Sequence, residues 1–108
     1  MRYPHIALLF SWGLMLAGPA PVSAAPATHT VTIDATAYAP QELAVNVGDT
    51  VVWVNKDPFP HTVTSPAGGF DSKRIGPGES WRYKATRKGA YPYVCTFHPT
   101  MKGMLRVK

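Results

Sequence analysis

From residue 30 onward the chain alternates between apolar and polar positions with the two-residue period of a half-buried strand. "TVTID" (30–34) puts Val31 and Ile33 on one face, and "ELAVNV" (42–47) does the same with Leu43, Val45 and Val47. "GD" at 48–49 marks a turn before "TVVWVN" (50–55), a β-branched and aromatic run. "HTVT" (61–64) reads as another short strand. After the turn "IGPGES", "SWRYKA" (80–85) sets Trp81, Tyr83 and Ala85 against basic residues. "AYPYVC" (90–95) and "GMLRVK" (103–108) complete the set. Short strands separated by Gly, Pro and Asp predict an all-β sandwich or barrel, of about seven or eight strands. No segment sustains a 3.6-residue period, so little or no helix is expected in this part.

The alternation also sorts two methionines. In 103–108, Leu105 and Val107 share one face while Met104, Arg106 and Lys108 share the other. The charged face belongs outside, which turns Met104 away from the core. Met101 precedes this strand, in the loop with His98.

The first residues follow a different rule. Arg2 supplies a positive start, an apolar stretch runs from Ile6 to about Ala17, and Val22-Ser23-Ala24 offers small residues for a peptidase. The apolar run falls short of the roughly 20 residues that cross a bilayer. This order predicts a secretory signal peptide over residues 1–24, cleaved after Ala24, and a single domain over 25–108 with no membrane span.

Export changes the meaning of the rest. So short a domain buries only about 60–65% of its unfolded surface, and small secreted domains usually add disulfides or a metal. With one cysteine in the chain an internal disulfide is excluded, which makes a metal attractive. Losing Arg2 lowers the formal net charge from +5 to +4. The cations are spread along the chain, in a field that can steer an acidic protein partner. Nothing resembles a nucleic-acid-binding motif, so no nucleic acid is expected.

The lone Cys95 lies in "CTFHPTM", with His98 three residues on and Met101 three further. A second histidine, His61, follows the Pro-rich "KDPFP". Singly, each has a structural explanation: a buried inert thiol, a surface imidazole, a gap-filling thioether. Together, two imidazoles, one thiolate and one thioether form the donor set of a mononuclear blue-copper centre. Sulfur suits Cu(I) and imidazole serves both oxidation states. Zinc would accept two His and one Cys, but no general base is evident for a zinc-bound water and Met is a poor zinc ligand. A c-type haem needs C-x-x-C-H, and Cys–His nucleophilic catalysis lacks a cleft. Val94 and Thr96 flank the cysteine where oxidases and reductases often place histidine. This favours a carrier over an enzyme. His29, near the start of the mature domain, reads as a surface residue.

With these residues in view, the sequence resembles the cupredoxins, most of all their amicyanin branch, with plastocyanins and pseudoazurins behind. The resemblance rests on "ELAVNVGDTVVWVNKD", "PHTV" and "GAYPYVCTFHPTMKGMLRV", and spans about Thr30 to Lys108. It implies a Greek-key β-sandwich with one type 1 copper ion, Cu2+/Cu+, held by His61, Cys95, His98 and Met101. The short step from His98 to Met101 points to the amicyanin side. The implied role is periplasmic electron transport by a monomer, with a c-type cytochrome as partner and an amine dehydrogenase as a further candidate. The alternative is a copper-binding module for delivery or tolerance, although no Met- or His-rich tract is present. The family also implies that the last histidine leaves Cu(I) on protonation, so that the potential rises as pH falls. An apolar surface around His98 is expected from Pro58, Phe59, Pro60, Phe97 and Pro99. Two residues depart from the pattern. Thr62 stands where an Asn commonly ties the ligand loops together, and Phe97 where Pro is usual.

Overall fold

A computed structural model describes Arg2, Gly13, Gly18 and residues 25–67 and 69–108. The leader and its cleavage after Ala24 lie outside the described residues.

Among the described residues the chain forms nine strands: β1 (Thr28–Asp34), β2 (Ala37–Ala39), β3 (Glu42–Val45), β4 (Thr50–Asn55), β5 (Thr64–Ser65), β6 (Phe70–Asp71), β7 (Ser80–Lys84), β8 (Gly89–Cys95) and β9 (His98–Val107). They build two sheets, ordered β2-β1-β4-β7 and β3-β9-β8-β5-β6. No helix occurs among these residues, and the all-β sandwich is as expected. Two of the pairings are parallel, β1 with β4 and β3 with β9, and the rest are antiparallel.

Period-2 alternation places the core between the sheets. Along β4, Val51, Trp53 and Asn55 are buried while the residues between them are half-buried. β1 adds Val31 and Ile33, and β9 adds Met101, Leu105 and Val107. Trp53 pairs with Trp81 across β4 and β7, with ring centroids 5.5 Å apart. Its Nε1–H donates to the Tyr93 hydroxyl at 3.3 Å. Tyr93 meets Tyr38 edge-on at 4.7 Å. Such aromatic pairs each contribute about 0.5–1.5 kcal/mol beyond their buried area. Burial pushes the Tyr93 phenol up to about 12 against the opposing effect of the Trp53 N–H.

Several elements differ from the pattern-based expectation. β2 and β6 are too short to show a period. "HTVT" supplies only an isolated bridge, His61 to Ile75, followed by the two-residue β5. Between those two pairings Val63 bonds to Ser72 instead, its carbonyl accepting the Ser72 N–H and its N–H donating to the Ser72 hydroxyl, so no continuous ladder forms. Val47 is 46% exposed despite its place in the "ELAVNV" alternation. The strand stops at Val45, because Asp49 folds back to donate its N–H to Asn46 O and Gly48 adopts a φ of +96°. Finally, β9 begins at His98, so Met101 sits inside a strand and only Thr96 and Phe97 form the turn.

The sandwich has two distinct ends. At one, the 45–50 turn, the 84–89 segment and the C-terminus meet: Gly48 N–H donates to Ala85 O, Ala85 N–H to Asp49 O and Lys108 N–H to Val45 O. The buried Asp49 organises this end. Its carboxylate accepts the N–H of Ala27 and of Asn46, and Nε2 of His29 lies 2.9 Å away. The Ala27 N–H, then His29 and the Asn46 N–H, hold the Asp49 carboxyl down at about 2. A carboxyl depressed on folding stabilises the fold above its unfolded pKa. That contribution fades as pH falls from about 4 to about 2. Asp49→Ala is therefore expected to lower the melting temperature near neutrality and to differ less from the parent at about pH 2. Thermal melts at both pH values check this, and an equal difference at both would defeat it.

Candidate metal centre

The opposite end carries the candidate ligands. Three stretches converge there: the 56–63 loop after β4, the 72–79 segment before β7 and the turn between β8 and β9. The first two are stitched by backbone bonds, His61 N–H to Ile75 O at 3.0 Å and Ile75 N–H to His61 O at 2.8 Å. Asn55, fully buried, donates from Nδ2 to both Phe59 O and Ile75 O, while its Oδ1 accepts the Asp57 N–H. Val63 and Ser72 exchange two further bonds.

Within this frame the thiol of Cys95 is fully buried, at the end of β8 beside a bulge between Val94 and Cys95. Nδ1 of His61 lies 3.7 Å from its Sγ and Nδ1 of His98 lies 3.8 Å from it. The ligand atoms of His61, Cys95 and His98 all fall within 4.8 Å of one another. The two imidazoles are 5.1 Å apart at their centroids. Met101 is buried on the inward face of β9 in the same core cluster as Cys95. Met104 is half-buried on the other face, beside Pro92, Val94 and Lys102 along a groove. His29 is at the far end, as its pairing with Asp49 requires.

Thr62 joins the loops. Its N–H donates to Cys95 Sγ at 3.4 Å and its Oγ1 accepts the Thr96 N–H at 2.9 Å. Its carbonyl accepts the Tyr38 hydroxyl at 2.5 Å. Burial, followed by the nearness of Cys95 and Tyr93, raises the Tyr38 phenol well above its ordinary value and keeps it a donor. Thr62 thus spans the two ligand loops through its side chain, and its amide N–H can lend positive character to a thiolate.

Asp57 is the residue that sequence reasoning missed. His61 Nε2–H donates to Asp57 Oδ2 at 2.7 Å, which leaves Nδ1 with its lone pair turned toward the sulfur. The same carboxylate accepts the N–H of Ala35 at 2.9 Å and of Thr36 at 2.8 Å, residues with φ of +49° and +58°. Burial works to raise this carboxyl, but the Thr36 N–H, His61 and the Ala35 N–H together outweigh it and hold it below the usual carboxylate range. The signal was available as an acid four residues before a candidate ligand, but it lay inside a Pro-rich stretch that reads as a loop. Asp57→Asn replaces an acceptor-only group by one whose NH2 faces at least one donor. Copper affinity is expected to fall by roughly 10- to 100-fold, as for other residues that orient a ligating histidine. Competition with a chelator measures this, and unchanged affinity would remove Asp57 from the site.

Around His98, which is half-buried, Phe59 is 60% and Phe97 50% exposed, with Pro58 and Pro99 exposed as well. Pro60, also expected in this surface, is half-buried.

The family model of the cupredoxin-like domain matches residues 5–107. The chain belongs to the cupredoxins. Amicyanin of Paracoccus denitrificans is 38% identical over 76 residues, covering 66% of this cupredoxin and 58% of that protein's length. Among solved structures, the Cu(I) form of a methionine-to-alanine mutant of amicyanin aligns with a TM-score of 0.72 and 33% identity, covering 80% of this chain and 87% of that one. A copper-containing nitrite reductase from Thermus scotoductus SA-01 gives the same TM-score at 33% identity. The match covers 86% of this cupredoxin but only 26% of that enzyme, so the shared part is one domain of a larger chain.

The cofactor of this cupredoxin is a type 1 copper ion, and the donor chemistry fits it. Two nitrogens face one sulfur from separate loops, and a thioether-bearing side chain is buried in the same cluster. Soft sulfur with imidazole is the combination that favours copper.

Proposed function

We propose that this cupredoxin is a periplasmic one-electron carrier whose copper would be held by Nδ1 of His61, Nδ1 of His98, Sγ of Cys95 and the sulfur of Met101. When bound, the copper supplies a centre that exists as Cu(II) or Cu(I). The chain's residues supply the frame. Asp57 fixes the His61 ring, Thr62 holds the thiolate and ties the loops, and His98 lies among Phe59, Phe97 and the prolines, where a partner can approach. The observation that carries the reading is the placement of both histidine Nδ1 atoms at 3.7 and 3.8 Å from one buried sulfur. In keeping with the similarity to amicyanin and plastocyanin, we read the protein as a monomeric carrier and not an enzyme. A c-type cytochrome is the proposed acceptor and an amine dehydrogenase a candidate donor, in keeping with the similarity to amicyanin.

Stopped-flow mixing of the reduced protein with an oxidised c-type cytochrome tests the carrier role. Rapid return of the blue colour is expected, and Phe97→Asp should slow it without abolishing the colour. Copper loading with no exchange would leave a storage or delivery module in its place. Met101→Leu should shift the reduction potential and Met104→Leu should not; the reverse would make Met104 the fourth ligand. Export is tested by N-terminal sequencing of the secreted protein, expected to begin at Ala25.

A further inference from the structure

A line of hydroxyls runs from the turn between β8 and β9 to the edge of the second sheet. Thr62 Oγ1 accepts the Thr96 N–H at 2.9 Å and lies 3.2 Å from Thr96 Oγ1. On its other side it lies 3.0 Å from Thr64 Oγ1. Thr64 is paired with Asp71 of the edge strand β6, and its hydroxyl donates to Asp71 Oδ1 at 3.1 Å. The same oxygen accepts the Lys73 N–H at 2.8 Å, and Oδ2 lies 3.3 Å from the Lys73 ammonium. The Lys73 N–H, then Thr64 and the Lys73 ammonium, outweigh burial and hold the Asp71 carboxyl below the usual carboxylate range. An ionised carboxylate can only accept.

That acceptor gives the line a direction. A hydroxyl has one proton and two lone pairs. Thr64 directs its proton to Asp71, so toward Thr62 it can only accept. Thr62 must then donate to Thr64, which leaves both of its lone pairs for the N–H and O–H of Thr96. Bonds aligned in this way polarise and strengthen one another. Thr62 is buried, so its hydroxyl has these partners in place of solvent. We propose that Asp71 is a positioning residue for the copper centre, which acts through Thr64 and Thr62 to hold the Thr96 amide and with it the turn that joins Cys95 to His98. The inference rests on the copper site proposed above only in its last link, from the turn to the metal.

The test separates the two links. In the copper-free protein, hydrogen exchange of the Thr96 N–H is compared with that of the Gly48 N–H, which bonds to Ala85 O at the opposite end. Thr64→Val cuts the line without changing charge and should speed Thr96 exchange by roughly three- to tenfold while leaving Gly48 unchanged. Asp71→Ala should do the same, Thr64→Ser should restore protection, and Asp71→Ala should add nothing in a Thr64→Val background. In the copper-loaded protein, Thr64→Val should keep the blue colour and raise the reduction potential, because a looser His98 weakens the nitrogen donation that supports Cu(II). Loss of the Asp71 charge would raise the potential through its field alone, so the neutral Thr64→Val carries this part. Unchanged Thr96 exchange, equal acceleration of Thr96 and Gly48, additive effects of the two changes, or a potential that Thr64→Val does not move would each overturn the proposal. A protein that takes up no copper would instead fail the carrier reading, and the exchange rates would still decide whether Asp71 holds the turn.

Discussion

Cys95→Ala is expected to abolish the intense visible absorption of the copper-loaded protein while leaving the fold in place. The first half follows from chemistry. Only a thiolate gives the strong sulfur-to-copper transition, and Cys95 is the single cysteine of the chain. The second half follows from size. The substitution deletes one sulfur from a fully buried position, a loss of about 1 kcal/mol of packing. The Thr62 N–H loses its sulfur acceptor, but Thr62 keeps Tyr38 and Thr96 as partners. Copper should also stop raising the melting temperature. A ligand that binds only the folded form at a thousand times its Kd stabilises by about 4 kcal/mol, and without the thiolate that gain is lost. The comparison variant is His29→Ala, which removes an imidazole from the far end and should keep both the colour and the copper-dependent melt. Visible spectra and paired melts with and without copper decide the matter. A blue band surviving in Cys95→Ala would refute the thiolate assignment.

Much of this was legible in the sequence, and the reason is periodicity. Val31 and Ile33 alternate with polar residues and are buried as the alternation requires, while in the apolar run of β4 it is Val51 and Trp53 that take the inward face. The same rule turned Met104 outward, because charged Arg106 and Lys108 label the outer face, whereas Met101, read as a loop residue, lies on the inward face of β9. The candidate ligands stood out because the chain has one cysteine, followed at short spacing by His98 and Met101, and His61 opens a separate stretch after the Pro-rich loop. What the sequence left open depends on contacts between distant stretches. Tyr38 is flanked by Ala on both sides and shows no period, yet its hydroxyl reaches Thr62 across 24 positions. Asp57 carries only a faint local mark, its place four residues before His61, and its other partners at Ala35 and Thr36 lie more than 20 residues away. The role of Thr62 was undecided until the turn at Thr96 was placed beside it.

The largest expected loss of stability comes from Gly103→Ala. In a strand, glycine costs roughly 0.5–1 kcal/mol relative to alanine, so on intrinsic grounds the change should help. The neighbour opposes it. Gly103 is paired with Tyr93 across β8 and β9, and a Cβ at Gly103 would lie 2.3 Å from Tyr93 Cζ and 2.4 Å from its hydroxyl oxygen. The ring has no free direction to move. It is 1% exposed, packs edge-on against Tyr38 and Trp53, and accepts the Trp53 N–H. Displacing it strains the Tyr38 ring, whose hydroxyl holds the Thr62 carbonyl beside the copper ligands. Overpacking of a tight core costs about 1–3 kcal/mol and sometimes more, which exceeds the intrinsic gain. A net loss of about 2 kcal/mol or more corresponds to a fall in melting temperature of roughly 8–16 °C for a domain of this size. The cause can be isolated with a second change. If the clash with the ring is responsible, Gly103→Ala should cost far less in a Tyr93→Ala background, where the added methyl partly fills the space left by the ring. Denaturant titrations of the two single variants and the double variant measure that coupling. Additive losses would show that Gly103 serves some other purpose than to make room for Tyr93.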